Sequence, residues 1–338
     1  MIKYLGSKRA LLPLIEDAVA ALGPLATAVD LFAGTTRVGR MLKRRGLHVH
    51  SNDVATYSEV LARAAIGTDA RRVDAGAVRA MLDDLGARPP APGYFTATFC
   101  QASRYLHPDN GARVDAIRAA IEQDYAHEPL RSIALAALLV AADRVDSTTG
   151  VQMAYLKQWA PRALKPLALE APELLAGEGA VSRLDAADCA RAVGSVDLAY
   201  VDPPYNQHAY FGNYHVWETL VRNDAPATYG VAHKRVDCRV HRSAWNSKRR
   251  IRAAMVELLD AIDARFVLVS FSDEGYLPID ELRALLATRG AVRTLSAEHE
   301  RYVGARIGIY NPRGERVGTP GRLTNREYLF CVSARRGA

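Results

Sequence analysis

The sequence predicts an α/β protein built on an open, doubly wound sheet, with a mainly helical segment inserted into it. Apolar runs of strand length alternate with stretches of helical periodicity near both ends of the chain, as is typical of such sheets. Between them, residues 57–176 are alanine-rich and mostly helical in pattern. We therefore expect residues 1–56 and 177–338 to form one α/β domain, interrupted by a helical insertion at 57–176.

The first half of the sheet begins with a strand–loop–helix unit. Residues 25–32 (LATAVDLF) form a short apolar strand, the turn AGTTRVG follows, and the next apolar residues are spaced as on one face of a helix. A second strand at 47–51 leads to Asp53, about twenty residues after the loop. This is the layout of the start of a nucleotide-binding βαβ unit.

The second half of the sheet follows the helical insertion, which proline and glycine interrupt at residues 87–93 and 161–166. Four further strands are predicted, in the sequences AVSRLDAAD, VDLAYVDPPY, ARFVLVSFSDE and REYLFCVS. Because ligands of an open α/β sheet bind beyond the carboxyl ends of its strands, the polar residues that follow these strands are the candidate site.

Composition excludes several classes of protein. The 338 residues are 49% hydrophobic, enough for one large or two modest domains. The longest nearly apolar run, residues 133–142, is about half of what a membrane span needs, and the N-terminus does not resemble a secretion signal. We therefore expect a cytoplasmic protein without membrane contact. Four scattered cysteines argue against a disulfide framework or a metal site: Cys100, Cys189, Cys238 and Cys331.

Positive charge is concentrated in one stretch, residues 234–252, which we call the basic segment. The chain carries a net charge of +7, and this segment holds eight Lys or Arg residues against the single acid Asp237. Such a run predicts either contact with a polyanion such as DNA or a solvated helix face, and composition alone leaves both open.

The most specific motif is Asp-Pro-Pro-Tyr at residues 202–205, directly after an apolar strand. This tetrapeptide should occur by chance in roughly one chain of this length in five hundred. Two prolines remove N–H donors and leave carbonyl acceptors, to which Asp202 adds a carboxylate and Tyr205 a flat aromatic face. Such a loop suits an amino group attached to a planar ring.

The loop after the first strand is less specific. Gly34 permits close approach of a ligand to the backbone, and Asp53 is a natural acceptor for the two hydroxyls of a ribose. Thr36 stands where a second glycine is usual. Taken alone, this pattern fits an NAD-type dinucleotide site about as well as any other nucleotide-derived cofactor.

Three motifs in order resemble the family of adenine-specific DNA methylases whose cofactor motif precedes the catalytic one. They are Lys-Tyr-Leu-Gly-Ser-Lys at residues 3–8, Asp-Leu-Phe-Ala-Gly at 30–34 and Asp-Pro-Pro-Tyr at 202–205. Residues 142–150 and 206–220 resemble one bacterial branch of the same family. The resemblance implies a methyltransferase (Rossmann-like) sheet with an inserted, mainly helical DNA-recognition domain. It also implies S-adenosylmethionine as cofactor and N6 of a flipped-out adenine in double-stranded DNA as target.

The resemblance also assigns residues to roles. Asp202 and the Pro203 carbonyl would accept hydrogen bonds from N6, while Tyr205 would stack on the flipped base. Lys8 would pair with the carboxylate of the cofactor, and Asp188 would face its adenine, with Asp185 as the competitor. The catalytic residues are then Asp202, Pro203, Pro204 and Tyr205, and the cofactor-binding residues are Tyr4, Lys8, Asp30, Phe32, Ala33, Gly34, Asp53, Asp188 and Asp202.

DNA contacts are expected from two places. Asn206 and Tyr210 would grip the flipped nucleotide, and Lys248, Arg249, Arg250 and Arg252 of the basic segment would contact phosphates. The recognition sequence is not readable from residue order. A cognate restriction endonuclease is compatible with the resemblance, but neighbouring genes rather than this chain would reveal it.

Three alternatives stay open at this point. A cytosine-N4 DNA methylase usually has Ser in place of Asp202. An RNA or protein amino-methylase typically has Asn there and does not need the helical insertion. A non-catalytic DNA-binding module of the same fold would be expected to have lost Asp202, Tyr205 or Gly34, all of which are present.

Overall fold

The computed structural model describes residues 1–240, 242–300, 309–310, 316–318 and 324–334. Its strands are β1 Thr27–Asp30, β2 His48–Asn52, β3 Gly179–Ser182, β4 Val196–Val201, β5 Thr228–Tyr229, β6 Lys234–Arg235, β7 Ala264–Ser272, β8 Gly290–Glu300, β9 Ile309–Tyr310, β10 Arg316–Gly318 and β11 Thr324–Ala334.

The helices are α1 Leu12–Ala20, α2 Arg37–Arg44, α3 Thr56–Ala62, α4 Ala75–Ala87, α5 Pro108–Asp124, α6 Leu130–Arg144, α7 Ala186–Val193, α8 Tyr210–Asn213, α9 His215–Arg222, α10 Ile251–Ala261 and α11 Ile279–Ala287. Two π-helical turns, Arg63–Gly67 and Thr96–Gln101, lie in the helical insertion. Within the described ranges, no helix is long and apolar enough to cross a membrane, and no group of His, Cys, Asp and Glu is arranged to hold a metal ion.

Seven strands form one sheet in the order β3-β2-β1-β4-β7-β11-β8. Strands β3, β2, β1, β4 and β7 pair in parallel, whereas β11 runs antiparallel to both of its neighbours, β7 and β8. Neighbouring residues of β1 point to opposite faces, so Ala28 belongs to one buried core and Val29 to another. The sheet is thus covered on both faces, which confirms the predicted doubly wound class.

The predicted strands are found within a few residues of their predicted positions and make up six of the seven strands of this sheet. The short strands β5, β6, β9 and β10, which pair outside it, were not predicted. Strand β8 was not predicted, because its sequence, GAVRTLSAEHE, mixes polar and apolar residues instead of forming an apolar run. In the described part of the chain it is the edge strand of the sheet, paired with β11, and an edge strand does not require continuous burial.

The described residues of the helical insertion contain helices and no strand. Its main core is built from α3 to α6, and it also includes Ile2 from the N-terminus and Trp217 from α9. Ala65 and Ile66, near its start, belong instead to a core on one face of the sheet. Helices of this segment therefore pack against both the N-terminus and the chain that follows the catalytic motif.

Candidate active site

A cavity of about 540 Å³ opens at the carboxyl ends of β1, β2 and β4. Its walls come from the N-terminal segment (residues 3–8), the loop after β1, the start of α7, the chain after Asp202 and the basic segment. The strand order brings these segments together because β1 and β4 are neighbours in the sheet. The sequence placed its candidate residues at this edge, and most of them do line the cavity.

The loop after β1 is closed against the N-terminal segment. Gly34 has a positive φ of 50°, and a Cβ added to it would lie 3.0 Å from Cε1 of Tyr4. A larger residue would therefore be strained and would push the tyrosine away. Phe32 and Ala33 of the same loop also line the cavity.

Asp30, the last residue of β1, is 1% exposed. Its Oδ2 accepts a hydrogen bond from the Gly39 N–H at 3.2 Å, whereas Oδ1 is buried and has no partner among the described residues. Burial, with a contribution from the charge of Asp202, raises the pKa of Asp30 to about 7. Because this buried carboxylate oxygen has no hydrogen-bond donor, the cavity is suited to a ligand that supplies a donor group.

Asp53 connects the loops that follow β1 and β2. Its two carboxylate oxygens accept hydrogen bonds from the backbone N–H groups of Gly34 at 2.8 Å and Ala55 at 3.0 Å. Burial raises its pKa in spite of these bonds. The carboxylate thus braces the loop and also lines the cavity.

Asp185 and Asp188 differ in position at the start of α7. Asp185 precedes the helix, accepts a hydrogen bond from the Ala187 N–H at 3.0 Å and lines the cavity. Asp188 is one turn into the helix, exposed, outside the cavity wall and paired with Arg191 at 2.8 Å. Of the two candidates for the cofactor adenine, the structure brings Asp185 to the cavity and leaves Asp188 on the outer surface.

Lys8 and Asp202 form an ion pair of 2.8 Å between Nζ and Oδ1, with side chains only 7% and 16% exposed. Burial raises the pKa of Asp202 to about 6, although the charge of Lys8 opposes this. Burial alone would lower the pKa of Lys8, but the charge of Asp202 raises it above its ordinary value. Lys8, which the sequence assigned to the carboxylate of the cofactor, is therefore already bound to the catalytic carboxylate.

The other three residues of the catalytic motif differ in their position relative to the cavity. Pro204 lines the cavity, whereas Pro203 is buried and Tyr205 lies behind the wall. The Tyr205 ring packs on Phe271 at 5.2 Å, and its hydroxyl donates to Oε1 of Glu327 at 3.4 Å. Glu327 was missed at the sequence level, although a lone acid within the apolar strand REYLFCVS was a usable signal.

Aromatic residues form a cluster beside the motif. The Tyr4 ring stacks against both Tyr210 and Tyr214, with centroid distances of 5.2 and 4.7 Å and interplanar angles of 26° and 16°. The rings of Tyr210 and Tyr214 are 6.3 Å apart, so the three form a triangular cluster. Tyr4 and Tyr210 line the cavity. The candidate for the cofactor, Tyr4, and the candidate for the flipped nucleotide, Tyr210, are therefore in direct contact.

The basic segment is divided between cavity and surface. Arg242, Trp245, Asn246 and Arg250 line the cavity, whereas Lys248, Arg249 and Arg252 do not. The Trp245 ring contacts the Phe32 ring edge to face, with centroids 5.2 Å apart. The sequence had indicated Trp245 only as an aromatic residue within the basic segment.

Asn246 ties the basic segment to the chain after the catalytic motif. Its amide donates to the carbonyls of Asn206 and His208 at 2.7 and 3.1 Å. The Asn206 side chain accepts from the His208 N–H at 3.1 Å, so its oxygen is used within the loop. No pattern in the sequence pointed to Asn246, because its partners are distant along the chain.

Comparison with known proteins agrees with this geometry. The model of the D12 class N6 adenine-specific DNA methyltransferases matches residues 4–285. The chain is 31% identical over 315 residues to the type II methyltransferase M.NlaIII of Neisseria lactamica, covering 89% of this chain and 92% of that protein.

Other relatives differ in how much of them is matched. The type II methyltransferase M.CviAII of Paramecium bursaria Chlorella virus 1 is 28% identical, with 89% of this chain and 92% of that protein covered. The modification methylase StsI of Streptococcus sanguinis is 29% identical over 84% of this chain, but only 46% of its own length is matched. The predicted family and enzyme class are confirmed, ahead of the cytosine-N4, RNA, protein and non-catalytic alternatives. The chain belongs to the D12 class N6 adenine-specific DNA methyltransferases, enzymes that methylate adenine at specific sites in DNA.

Proposed function

We propose that the cavity binds S-adenosylmethionine and that an adenine flipped out of duplex DNA enters beside Asp202 to receive the methyl group on N6. The observation that carries this proposal is the Lys8–Asp202 pair, which joins the N-terminal segment to the catalytic motif in the same cavity that the loop after β1 lines. When bound, the cofactor supplies a methyl group made electrophilic by a sulfonium.

The polar atoms of the cavity fit such a cofactor. Its amino group is a donor that suits the unpartnered Oδ1 of Asp30. Its ribose hydroxyls suit Asp53, since each oxygen of that carboxylate accepts one backbone N–H and keeps a further lone pair. Its adenine suits the end of the cavity formed by Phe32, Trp245 and Asp185.

For the carboxylate of the cofactor we propose Arg37 in place of Lys8. Arg37 lines the cavity, and its buried Nε has no partner among the described residues. The buried hydroxyl of Ser7, another residue of the cavity wall, also lacks one there. Burial, together with the charges of Arg9 and Arg40, lowers the pKa of Arg37. An anion bound there would relieve this repulsion.

Catalysis in this proposal rests on acceptors. Adenine N6 has a lone pair delocalised into its ring, so the protein must favour a tetrahedral, positively charged nitrogen. Asp202 and the Pro203 carbonyl accept hydrogen bonds from N6 and stabilise that charge as it develops. Tyr205, Asn206 and Tyr210 would hold the flipped base, which costs a few kcal/mol to extrude.

DNA itself would lie along the basic segment and the helical insertion. Lys248, Arg249 and Arg250 have no carboxylate partner among the described residues and are the proposed phosphate contacts, whereas Arg252 is paired with Glu281 at 2.8 Å. Because the relatives are named type II methyltransferases and modification methylases, we propose a cognate restriction endonuclease as partner, with both enzymes acting in the cytoplasm.

The deciding experiment maps modified bases in a host genome that lacks its own adenine methylation. Expression of the wild-type chain should produce N6-methyladenine at one sequence, and Asp202→Ala should remove the signal while DNA binding stays within a few-fold. N4-methylcytosine in place of N6-methyladenine would contradict the assigned target.

Calorimetry tests the cofactor site separately. Asp53→Ala should weaken S-adenosylmethionine binding by about 1–3 kcal/mol through loss of the ribose hydrogen bonds. Arg37→Gln should weaken S-adenosylmethionine but not 5′-methylthioadenosine, which lacks the carboxylate. Equal losses for both ligands would contradict the role of Arg37, and the exposed Arg44→Gln serves as control because its guanidinium pairs with Glu173 outside the cavity.

A further inference from the structure

Glu327 on β11 is an ionisable residue that the roles above leave unused. In the sheet register it lies opposite Ser272 on β7 and Ala297 on β8. One carboxylate oxygen accepts the Tyr205 hydroxyl at 3.4 Å, while the other, Oε2, is buried without a hydrogen-bond partner in the described part of the chain. A buried carboxylate oxygen without a donor costs free energy and therefore calls for a functional explanation.

The charges around Glu327 suggest what it does. Lys8 carries one positive charge, and Asp202 neutralises it at 2.8 Å. The charge of Glu327 acts on both members of that pair. Burial and Lys8 are the main causes that set the pKa of Asp202, and the charge of Glu327 is the next one and raises it. The same charge also raises the pKa of Lys8. With Glu327 included, the three side chains have a net charge of −1 in place of zero.

That net charge matters for the reaction. Methyl transfer forms the N6–C bond as the C–S bond breaks with its electron pair on sulfur, so a positive charge appears on N6 until a proton passes from N6 to Asp202. An Asp202 carboxylate fully offset by Lys8 would stabilise this charge weakly. Glu327 accepts a hydrogen bond from the hydroxyl of Tyr205, and Nζ of Lys8 lies 6.0 Å from the centre of the same ring. A second carboxylate at this position partly offsets the charge of Lys8 without contacting it, and so leaves the charge of Asp202 available to N6.

We propose that Glu327 is a positioning residue for methyl transfer, which offsets Lys8 so that Asp202 can act on the target amine and fixes Tyr205 through its hydroxyl. This inference rests on the proposed function for its kinetic test alone. Its structural test needs neither cofactor nor DNA.

The structural test is a pH titration of Asp202 in the ligand-free protein, monitored by carbon-13 NMR with labelled aspartate. The Asp202 signal is assigned as the one that disappears in Asp202→Asn. Glu327→Gln keeps the shape and removes the charge, so the midpoint of Asp202 should fall by about 0.5–1 pH unit from a starting value near 6. The matched control is Glu298→Gln on β8, whose exposed side chain pairs with Arg326. A midpoint that moves no more than in the control would overturn the charge role.

Other groups that face Asp202 stay constant in this comparison. They are Lys8 from the N-terminal segment, Asp30 on β1, Tyr200 on β4, and Tyr205 and Tyr210 after β4. A shift shared with the Glu298 control would therefore point to the fold and not to Glu327.

The kinetic test uses single-turnover methylation of the mapped site. Glu327→Gln should slow methyl transfer about tenfold at pH 8 and leave cofactor affinity within twofold of the wild type. The difference in rate should shrink toward pH 6, because Asp202 of the variant stays ionised to lower pH than Asp202 of the wild type. A second measurement tests the link between Glu327 and Tyr205. Tyr205→Phe and Glu327→Ala should each weaken base flipping, seen as a lower fluorescence of 2-aminopurine placed at the target position. The double variant should lose no more fluorescence than Glu327→Ala, and additive losses would overturn the link to Tyr205. If the wild-type chain showed no methylation, the proposed function would fail while the NMR titration still tested Glu327.

Discussion

The N-terminal segment and the basic segment both carry positive charge at the cavity, but their charges are neutralised differently. In the N-terminal segment, Lys3 contacts Asp143 and Asp146 at 3.2 and 3.0 Å, and Lys8 contacts Asp202 at 2.8 Å. In the basic segment, Arg235 is held by two acids, whereas Lys248, Arg249 and Arg250 meet no carboxylate among the described residues. The density of charge in a sequence therefore does not tell which cations are free for phosphate, because their partners come from elsewhere in the fold.

The largest effect that would test this comparison is expected from Lys8→Gln. Removing one member of a buried ion pair typically lowers the free energy of unfolding by about 3–5 kcal/mol. It also removes the positive charge that holds down the pKa of Asp202, so that pKa should rise further. We expect methylation at pH 7 to fall by roughly 10²-fold, and its acid limb to move to higher pH, as measured by a pH–rate profile.

The sign of the accompanying stability change follows from the same shift. A carboxyl whose folded pKa is raised favours the folded state most below its unfolded pKa of 3.8, and this contribution is lost as pH rises through about 6. The Lys8→Gln variant should therefore be most destabilised above pH 7 and approach the wild type in acid. Lys3→Gln is the control for the acid limb, since Lys3 pairs with Asp143 and Asp146 and not with Asp202. An acid limb that does not move would mean that Lys8 and Asp202 are not coupled.

Sequence reasoning reached the fold and the catalytic motif because their signals are local. An apolar strand followed by Asp-Pro-Pro-Tyr or by a glycine-containing turn is read from adjacent residues, and strand order then brings the two loops together. Pairings across the chain carry no such signal, so Lys8 was assigned to the cofactor and Asn246 was not found. Glu327 is visible as an acid in an apolar strand, but nothing in the sequence linked it to Tyr205. Asp188 was preferred to Asp185 because the sequence does not fix where α7 begins. Asp185 precedes the helix and lines the cavity, whereas Asp188 lies within the helix and pairs with Arg191 on the outer surface.

Arg235→Gln tests the paired half of the basic segment. The side chain is 1% exposed and contacts Asp224 at 2.7 Å and Asp237 at 2.8 Å. Its loss therefore leaves both acids to the more exposed Arg222. We expect a loss of about 2–4 kcal/mol in the free energy of unfolding by urea, with an unchanged salt dependence of DNA binding. Arg222→Gln is matched, since it contacts the same two acids from a 35% exposed position and should cost less than about 1 kcal/mol. A stable Arg235→Gln variant with a flatter salt slope would place Arg235 on the DNA.

Neutralising Lys248, Arg249 and Arg250 together tests the unpaired half. Each phosphate contact contributes up to ~0.9 to the slope of log affinity against log salt, so the triple Gln variant should flatten that slope by up to about 2.7. Specific and random duplexes should weaken alike, because phosphate contacts carry no sequence information. Arg250 also lines the cavity, so cofactor affinity is measured alongside. An unchanged slope would move the DNA path onto the helical insertion.

The smallest effect is expected from Arg252, which the sequence grouped with those three. Its Nε contacts Oε1 of Glu281 at 2.8 Å, and the side chains are 62% and 38% exposed, so the pair itself is worth little. A phosphate must nevertheless compete with Glu281 for the guanidinium, and Arg252→Gln should therefore change the slope by well under ~0.9. Glu281→Gln removes the competitor, so Arg252→Gln made in that background should cost more than in the wild type. Filter-binding titrations of the four variants at several salt concentrations measure this difference. If Arg252→Gln costs as much alone as in the Glu281→Gln background, an exposed carboxylate neighbour does not decide which cation DNA can use.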